Sequence, residues 1–273
     1  MSYKMIVLDL DDTLLRDDHT ISPRTKEALM NAQERGVKVV LASGRPTFAM
    51  WPIAKELKLE EYGSFILSFN GAKITNCKTN EELFSSTLSP EIVHNLYKTS
   101  QNEDVWIHTY VGDDIVTEEN NEYTEFEGHI TGMPVIEVNN FVSAVKEPVV
   151  KVLMMKAPER LAEVEKKLQQ EFEGQLSVMR SKPFFLEFTE YGVTKGTSLS
   201  QLIQKLGITR EEVIAMGDSY NDQTMIEFAG LGVAMGNAPD DIKAIANHVT
   251  DTNMNDGVAK VVEQFVLKSA VLV

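Results

Sequence analysis

The sequence predicts an α/β fold in which a Rossmann-like, doubly wound parallel sheet carries a second, inserted α/β domain. Two observations lead to this prediction. Short aliphatic runs near both ends of the 273-residue chain alternate with helical patterns, which is typical of parallel sheets. The middle of the chain has strands and helices in a different order, so we expect it to form a separate unit.

The N-terminal part of the chain alternates strands and helices. Lys4–Leu10 is an aliphatic run that predicts a buried strand. Ser22-Pro23 supplies an N-cap and a first-turn proline for a helix, and Gly36 predicts its end. The same reasoning predicts strands at Val37–Ala42 and Ser64–Phe69, with a helix from about Thr47 to Leu57 between them.

The inserted domain is expected to span residues 81–190, which leaves 1–80 and 191–273 for the core domain. It has its own apolar positions, so it can form its own hydrophobic core. The predicted strands are Leu83–Thr87, Val105–Tyr110, Asp114–Thr117, Val149–Lys156 and Phe184–Thr189, and the predicted helices are Pro90–Gln101, Glu119–Thr131 and Pro158–Phe172.

The first pattern resumes after the insertion. The predicted elements are a helix at Lys195–Leu206, a strand at Val213–Gly217, a helix at Thr224–Ala229, a strand at Gly232–Met235, and helices at Asp240–Ala246 and Gly257–Val266. The apolar tail at residues 269–273 is open to three interpretations, which are an addition to the sheet, a subunit contact, or a frayed end.

Composition limits the possible partners. The chain has 26 basic and 41 acidic residues, a net charge of -15. This excess argues against nucleic acid as a partner, because nucleic acid is bound mainly through phosphate neutralisation by Lys and Arg. It argues against anionic membrane surfaces for the same reason.

The expected location is the cytoplasm. Cys77 is the single cysteine, which is typical of a reducing compartment, and we expect it to be a packing or loop residue. No stretch approaches the roughly 20 apolar residues of a membrane span, and the first residues do not resemble a signal peptide.

Polar clusters follow the predicted strands of the core domain. They are Asp9/Asp11/Thr13, Ser43/Gly44/Arg45, Asn70/Gly71 and Asp218/Asn221/Asp222, with a fifth cluster, Thr194-Lys195-Gly196, at a helix start. Because the carboxyl ends of parallel strands meet at one edge of a sheet, we expect the first four to converge there. This convergence is stronger evidence for a functional site than any one cluster.

The residue types in these clusters indicate magnesium-assisted phosphoryl transfer. Carboxylate oxygens are ligands that Mg²⁺ prefers, and Asp9 and Asp218 are the best candidates. A carboxylate nucleophile would form an aspartyl-phosphate, and Asp11 could protonate the leaving alcohol and later deprotonate water. Ser43 and Lys195 would donate to the phosphoryl oxygens.

The five clusters, in this order, resemble the motifs of the haloacid dehalogenase (HAD) superfamily. Within it, the chain resembles the Cof-type phosphatases, which carry a large class IIB cap domain inserted into the core. The matching motifs run from Asp9-Leu10-Asp11-Asp12-Thr13-Leu14 to Asp256-Gly257-Val258-Ala259 and so cover both ends of the chain. The family often has glycine at the position of Asp12, and this departure adds negative charge.

The resemblance implies a role for each motif residue. Asp9 would be the nucleophile and Asp11 the general acid and base. Mg²⁺ would be held by the Asp9 carboxylate, the Asp11 backbone carbonyl and the Asp218 carboxylate, with Thr13 and Asp222 supporting these ligands and Asp222 an occasional ligand itself. Substrate-binding residues would be Ser43, Gly44, Arg45, Asn70, Lys195 and Asn221. A surface ion pair for Arg45 and a helix cap for Asp222 remain alternatives.

The sequence therefore predicts a Mg²⁺-dependent phosphatase for a small phosphorylated metabolite, such as a sugar phosphate. A phosphomutase and a non-enzymatic phosphoreceiver are the alternatives. Oligomeric state and the particular ester stay open, and Arg180, Lys182 and Glu187 are candidate specificity residues for which a surface role is favoured. The histidines, at positions 19, 94, 108, 129 and 248, lack metal-ligand spacing and are expected in surface or core roles.

Overall fold

The structure, a computed structural model, describes residues 3–268 and divides into two compact units. The first unit combines the chain up to Phe84 with the chain from Thr194 onward, and the second is Ser85–Val193. The sequence prediction placed these divisions at 80/81 and 190/191. The tail at residues 269–273, for which three interpretations were open, lies outside the described residues.

The first segment of the core unit begins with a short strand and a widened turn. Its strands are β1 (Met5–Leu8), β2 (Lys38–Ala42), β3 (Phe65–Ser68), β4 (Lys73–Asn76) and β5 (Glu82–Ser85), and its helices are α1 (Pro23–Glu34), α2 (Thr47–Glu56) and α3 (Leu59–Tyr62). The Ser22 side chain accepts from the Thr25 backbone N–H and so caps α1, as its sequence predicts.

The inserted unit alternates helices with mostly antiparallel strands. Its helices are α4 (Pro90–Glu103), α5 (Glu122–Thr131), α6 (Phe141–Ala144) and α7 (Pro158–Glu171). Its strands are β6 (Trp106–Val111), β7 (Asp114–Thr117), β8 (Val135–Glu137), β9 (Val152–Met155), β10 (Leu176–Lys182) and β11 (Phe185–Glu190). α5 begins three residues later than predicted at Glu119, because the Asn121 side chain caps it by accepting from Tyr123 and Thr124.

The last segment returns to the core unit. Its helices are α8 (Lys195–Leu206), α9 (Gln223–Phe228), α10 (Asp240–Ile245) and α11 (Gly257–Val262), and its strands are β12 (Val213–Gly217), β13 (Leu231–Ala234) and β14 (His248–Val249). The helix predicted to reach Val266 is α-helical only to Val262 and continues as a wider turn at Glu263–Leu267.

The core unit is built on one sheet, which has eight strands within residues 3–268, in the order β14-β13-β12-β1-β2-β3-β4-β5. Its central pairs run parallel, and β4 runs antiparallel to β3. The predicted α/β fold class with a parallel core sheet is confirmed. The carboxyl ends of β1, β2, β3 and β12 therefore share one edge of the sheet.

Helices cover both faces of this sheet. In β1, Ile6 and Leu8 pack into the apolar cluster formed with α1, α2 and α11, while Met5 and Val7 pack into the cluster formed with α8 and α9. All four side chains are fully buried. A strand with two buried faces has a continuous aliphatic sequence, which is why β1 does not alternate between apolar and polar residues.

The inserted unit has its own sheet, in the order β10-β11-β9-β6-β7-β8 among the described residues. α4 and α7 supply apolar side chains to one face, where Leu96 and Leu161 join a cluster with Ile107, Met154 and Phe188. This cluster is the separate hydrophobic core that the sequence predicts for the insertion. Burying each such side chain stabilises the unit by about 1.5–3 kcal/mol.

The same sheet carries a cluster of buried polar side chains. Lys151 Nζ lies 2.9 Å from Glu187 Oε1, and Tyr110 donates a hydrogen bond to Glu127. His108 is fully buried beside them. The surface position favoured for Glu187 is wrong, because the Lys151 ammonium compensates its charge inside the unit and so permits burial.

Sequence reasoning missed several elements. They are α3, α6, β4, β8, β10 and β14. β10 carries Arg180, Ser181 and Lys182 and lies at the edge of its sheet, where one row of backbone groups has no strand partner and polar side chains are tolerated. Polar edge strands lack the alternation that identifies a half-buried strand.

Within residues 3–268, no helix is both long enough and apolar enough to cross a membrane.

Candidate active site

Asp9 directly follows β1, which ends at Leu8, and Asp11 lies in the widened turn at Leu10–Leu14. The Asp9 backbone N–H donates to the Met216 carbonyl, which fixes the start of this turn to β12. Asp12 has a φ of 61°, so the backbone reverses there. The turn therefore buries Asp9 while the Asp11 carboxylate keeps access to solvent.

Lys195 joins Asp9 to Asp222. Its Nζ lies 2.5 Å from Asp9 Oδ1 and 2.6 Å from Asp222 Oδ1. All three side chains are buried, and Lys195 and Asp222 have no exposed surface. A buried ammonium is stable only when it is paired, so the two carboxylates determine where the Lys195 side chain lies.

The charges at this centre shift the pKa values of its groups. Burial, reinforced by the neighbouring Asp222, raises the pKa of Asp9 well above its ordinary value, although Lys195 opposes the shift. For Lys195 burial acts to lower the pKa, but Asp222 and Asp9 outweigh it and raise the pKa. The excess negative charge beside Asp9 favours the binding of a further cation.

Asp222 organises the loop after β12. Its Oδ2 accepts from the backbone N–H groups of Asp218 and Ser219, each at 3.0 Å. A Cβ on Gly217 would lie 2.4 Å from Asp222 Cβ, so a side chain at Gly217 would displace this carboxylate. Both oxygens of Asp222 have donors in the site and its loop, and its side chain makes no capping hydrogen bond to α9, so it supports the loop.

Asp218 is held from the opposite side by Thr13. The Thr13 hydroxyl donates to Asp218 Oδ1 at 2.8 Å and so connects the turn after β1 to the loop after β12. Burial raises the pKa of Asp218 to about 6. Asp218 Oδ1 thus has one neutral donor from the described side chains and can still coordinate a cation.

The residues present fit a divalent cation. Asp9, Asp218 and Asp222 each offer a carboxylate oxygen, and these oxygens lie within 4.8 Å of one another. Three carboxylates face one ammonium, and burial raises the pKa of both Asp9 and Asp218. Hard oxygen donors with excess negative charge are the environment that Mg²⁺ takes in proteins.

Asp11 pairs with Arg45 in a two-pronged contact. Arg45 Nε lies 2.9 Å from Asp11 Oδ2, and Arg45 Nη2 contacts Asp11 Oδ1. The Arg45 side chain is 28% exposed. This geometry connects the loop after β2 to the turn after β1 and places a guanidinium at the sheet edge.

The remaining motif residues, Ser43, Gly44, Asn70 and Asn221, form a row along the same edge of the sheet. The Arg45 backbone N–H donates to Ser43 Oγ, and Asn221 Nδ2 donates to Asn70 Oδ1 at 3.1 Å. A Cβ on Gly44 would lie 3.3 Å from the Asn70 amide, so glycine allows this close approach. The structure thus brings together all of the predicted site residues of the core unit.

Two contacts near this row were missed from the sequence. Ser198 Oγ donates to the Gly71 carbonyl at 2.6 Å, and a Cβ on Gly71 would lie 2.6 Å from the Thr194 carbonyl. These contacts pack the start of α8 against the loop after β3 and thereby position Lys195 in the site. The sequence features that could have indicated this packing are Gly71 and the Thr194-Lys195-Gly196 cluster.

His19 was also missed as a neighbour of the site. Its Nδ1 lies 3.9 Å from Asp11 Oδ1, and its side chain is 74% exposed. His19 has no motif spacing to Asp11, and only the turn that follows the first motif brings the two together. Sequence reasoning had assigned it a surface or core role.

Comparison with known proteins identifies the class. The sequence profile of the haloacid dehalogenase-like hydrolases matches residues 6–262. The chain belongs to this family, and it is a phosphatase of the HAD type.

Individual relatives extend over nearly the whole chain. A haloacid dehalogenase-like hydrolase from Bacteroides thetaiotaomicron has a crystal structure with a TM-score of 0.89 and 44% identity, covering 96% of this chain and 99% of that one. The 5-amino-6-(5-phospho-D-ribitylamino)uracil phosphatase YcsE of Bacillus subtilis is 34% identical over 97% of this chain and 96% of its own. A structure described as showing a trigonal-bipyramidal intermediate in a phosphoryl-transfer superfamily is 27% identical, with a TM-score of 0.80, and covers 97% of this chain and 99% of that one.

Proposed function

We propose that this protein is a Mg²⁺-dependent phosphatase that hydrolyses a small phosphorylated metabolite, a sugar phosphate or similar phosphomonoester, through an aspartyl-phosphate. One observation supports this proposal above the others. Asp9 is buried between the Lys195 ammonium and the Asp218 carboxylate, at the sheet edge where Asp11 is also located. A carboxylate in this environment is positioned for nucleophilic attack on an anionic substrate.

The first half-reaction forms the phosphoenzyme. Asp9 attacks phosphorus, the bond to the ester oxygen breaks, and Asp11 protonates that oxygen as it leaves. Lys195, Ser43 and Asn221 donate to the phosphoryl oxygens. Arg45 already holds the Asp11 carboxylate and reaches the same edge, so it both orients Asp11 and adds positive charge near the phosphate.

The second half-reaction releases phosphate. Asp11, now deprotonated, accepts a proton from water as the water attacks phosphorus, and the carboxylate of Asp9 is regenerated. Mg²⁺, held by the Asp9 and Asp218 carboxylates and the Asp11 backbone carbonyl, would neutralise the phosphate charge that opposes attack by an anion. Thr13 and Asp222 keep Asp218 and its loop in place.

The inserted unit is proposed to act as a cap that helps to select the leaving group. The substrate for which YcsE is named carries its phosphate on a ribityl chain, which supports polyol and sugar phosphates as the substrate class for this chain. The cytoplasmic location remains a prediction.

A substrate panel tests the proposal. Phosphate release would be measured from p-nitrophenyl phosphate, sugar phosphates and nucleotides, with Mg²⁺ and with EDTA. We expect metal-dependent release that is strongest for one or a few alkyl esters. Isomerised sugar phosphate without free phosphate would instead indicate a phosphomutase, and a folded protein with neither product would contradict both.

A further inference from the structure

The turn that follows the first motif is fixed by the fold. The Arg16 backbone N–H donates to the Thr20 carbonyl at 3.0 Å, and the His19 backbone N–H donates to the Arg16 carbonyl at 2.8 Å. Asp18 Oδ1 accepts from the backbone and the hydroxyl of Thr20. These bonds define the backbone of a tight turn with His19 at its tip.

Two residues from the last segment of the chain anchor this turn to the core unit. Asn253 Nδ2 donates to the Leu15 carbonyl at 3.0 Å and lies 3.4 Å from Asp17 Oδ1. Arg16 pairs with Asp256 at 3.3 Å. The turn is thus tied down at its base, so the fold determines where the His19 Cα–Cβ bond points.

His19 has a backbone conformation that is uncommon for residues other than glycine, although histidine adopts it more often than most. Its φ is 60°, in the left-handed region that glycine adopts more readily than other residues. In this conformation the imidazole points towards Asp11, with Nδ1 3.9 Å from Oδ1.

The distance of 3.9 Å between His19 Nδ1 and Asp11 Oδ1 allows a third atom to contact both side chains. An oxygen can lie about 2.8 Å from both Asp11 Oδ1 and His19 Nδ1 at once, because the two atoms are closer together than twice a hydrogen-bond length. In the proposed reaction, the oxygen that must approach Asp11 is the leaving-group oxygen. Arg45 Nη2 also contacts Asp11 Oδ1, and a leaving-group oxygen that approaches this same Oδ1 from its open side lies within reach of His19.

We propose that His19 is a catalytic residue that donates a hydrogen bond from Nδ1–H to the leaving-group oxygen. This inference rests on the proposed phosphatase function. Asp9 forms a bond to phosphorus, the phosphorus–oxygen ester bond breaks with its electron pair on the leaving oxygen, and the proton of Asp11 moves to that oxygen. His19 keeps its own proton and stabilises the negative charge that develops before proton transfer is complete.

The proposal predicts a dependence on the leaving group. The alkoxide of a sugar phosphate is strongly basic and needs such stabilisation, whereas p-nitrophenolate is a stable anion. We therefore expect His19→Gly to lower kcat/KM for the most active alkyl ester about ten times more than kcat/KM for p-nitrophenyl phosphate, equivalent to about 1.4 kcal/mol. The alkyl esters tested would be glucose 6-phosphate, ribose 5-phosphate and glycerol 3-phosphate.

Two further variants separate chemistry from backbone structure. His19→Asn keeps an N–H donor and tolerates positive φ, so we expect it to restore part of the lost selectivity. Lys58→Gly is the matched control, because Lys58 is another exposed residue of the core unit with a positive φ of 55°. It should leave both kcat/KM values unchanged, and thermal unfolding would verify that all the variants are folded.

The outcomes are distinguishable from a failure of the phosphatase proposal. If the wild-type protein hydrolyses these esters but His19→Gly affects alkyl and aryl esters equally, or affects neither, His19 has no role at the leaving oxygen and the phosphatase proposal stands. If the folded wild-type protein hydrolyses no ester of the panel, both proposals are overturned.

Discussion

Lys195 Nζ lies 2.5 Å from Asp9 Oδ1, although the two residues are 186 positions apart in the chain. Asp9 directly follows the first strand of the core sheet, and Lys195 begins the first helix after the insertion. The contact therefore depends on the folding together of two core segments that the inserted unit separates in the sequence. It supplies the positive charge that allows a buried carboxylate at this position.

Replacing the proposed nucleophile tests the assignment of Asp9. We expect Asp9→Asn to reduce kcat at least about a thousandfold, because an amide cannot form the acyl phosphate, while the fold is retained. Phosphate release and circular dichroism would be measured together. Asp12→Asn is the matched control on the same turn, since Asn tolerates the positive φ there. Substantial turnover by Asp9→Asn would refute this role.

Removing the ammonium should affect stability as well as activity. Lys195→Met leaves the carboxylates of Asp9 and Asp222 buried without their shared partner. Breaking a buried pair in this way costs about 3–5 kcal/mol, and denaturant unfolding would measure the loss. Lys205→Met, at an exposed position on the same helix, should cost far less. Equal losses of unfolding free energy in the two variants would show that the buried pair contributes no more to stability than an exposed lysine.

The two-pronged contact between Arg45 and Asp11 predicts that charge alone is not sufficient at position 45. Arg45→Lys keeps the charge but loses the paired donors, so we expect kcat/KM to fall about 10- to 100-fold. The exposed Arg35→Lys, measured on the same ester, serves as the control. Full activity of Arg45→Lys would mean that this contact does not orient Asp11.

His108 makes the inserted unit sensitive to acid. Burial lowers the pKa of His108 from 6.5 to about 3. Between these values the unfolded chain binds a proton that the folded unit does not, so stability falls as pH decreases from 6.5 towards 3. At pH 5 the loss from this residue is about 2 kcal/mol relative to pH 7.

The fluorescence of Trp106 can report this effect. The chain has two tryptophans, so Trp51→Phe leaves Trp106 in the inserted unit as the single reporter. In that background we expect His108→Phe to remove about 2 kcal/mol from the pH dependence of unfolding between pH 7 and 5. The same pH dependence with and without His108 would contradict the assignment.

The convergence of the motifs was predictable because it depends on few facts. Each cluster directly follows an aliphatic strand, and parallel strands place their carboxyl ends at one edge. Asp9, Asp218 and Asn70 therefore had to lie near one another once the strands were recognised. The buried pairing of Lys195 with Asp222 was not predictable, because the direction of a side chain at a helix start depends on packing of that helix.

The polar interior of the inserted unit was beyond sequence reasoning. Lys151 and Glu187 are 36 residues apart on different segments, and neither has a periodic pattern that identifies it as buried. A charged residue is buried only when its partner is in place, and single-sequence patterns do not contain pairings of this kind. The same limit applied to His19, whose neighbour is determined by a turn and not by a motif.

Direct detection of the aspartyl-phosphate is the most decisive test of the proposed mechanism. The wild-type protein would be mixed with Mg²⁺ and its best ester, quenched in acid and treated with borohydride, which reduces an acyl phosphate to an alcohol. Mass spectrometry of the tryptic peptide Met5–Arg16 should then show homoserine in place of Asp9, and only when substrate is present. Rapid turnover with Asp9 unmodified, or with the modification on Asp11, would contradict the mechanism.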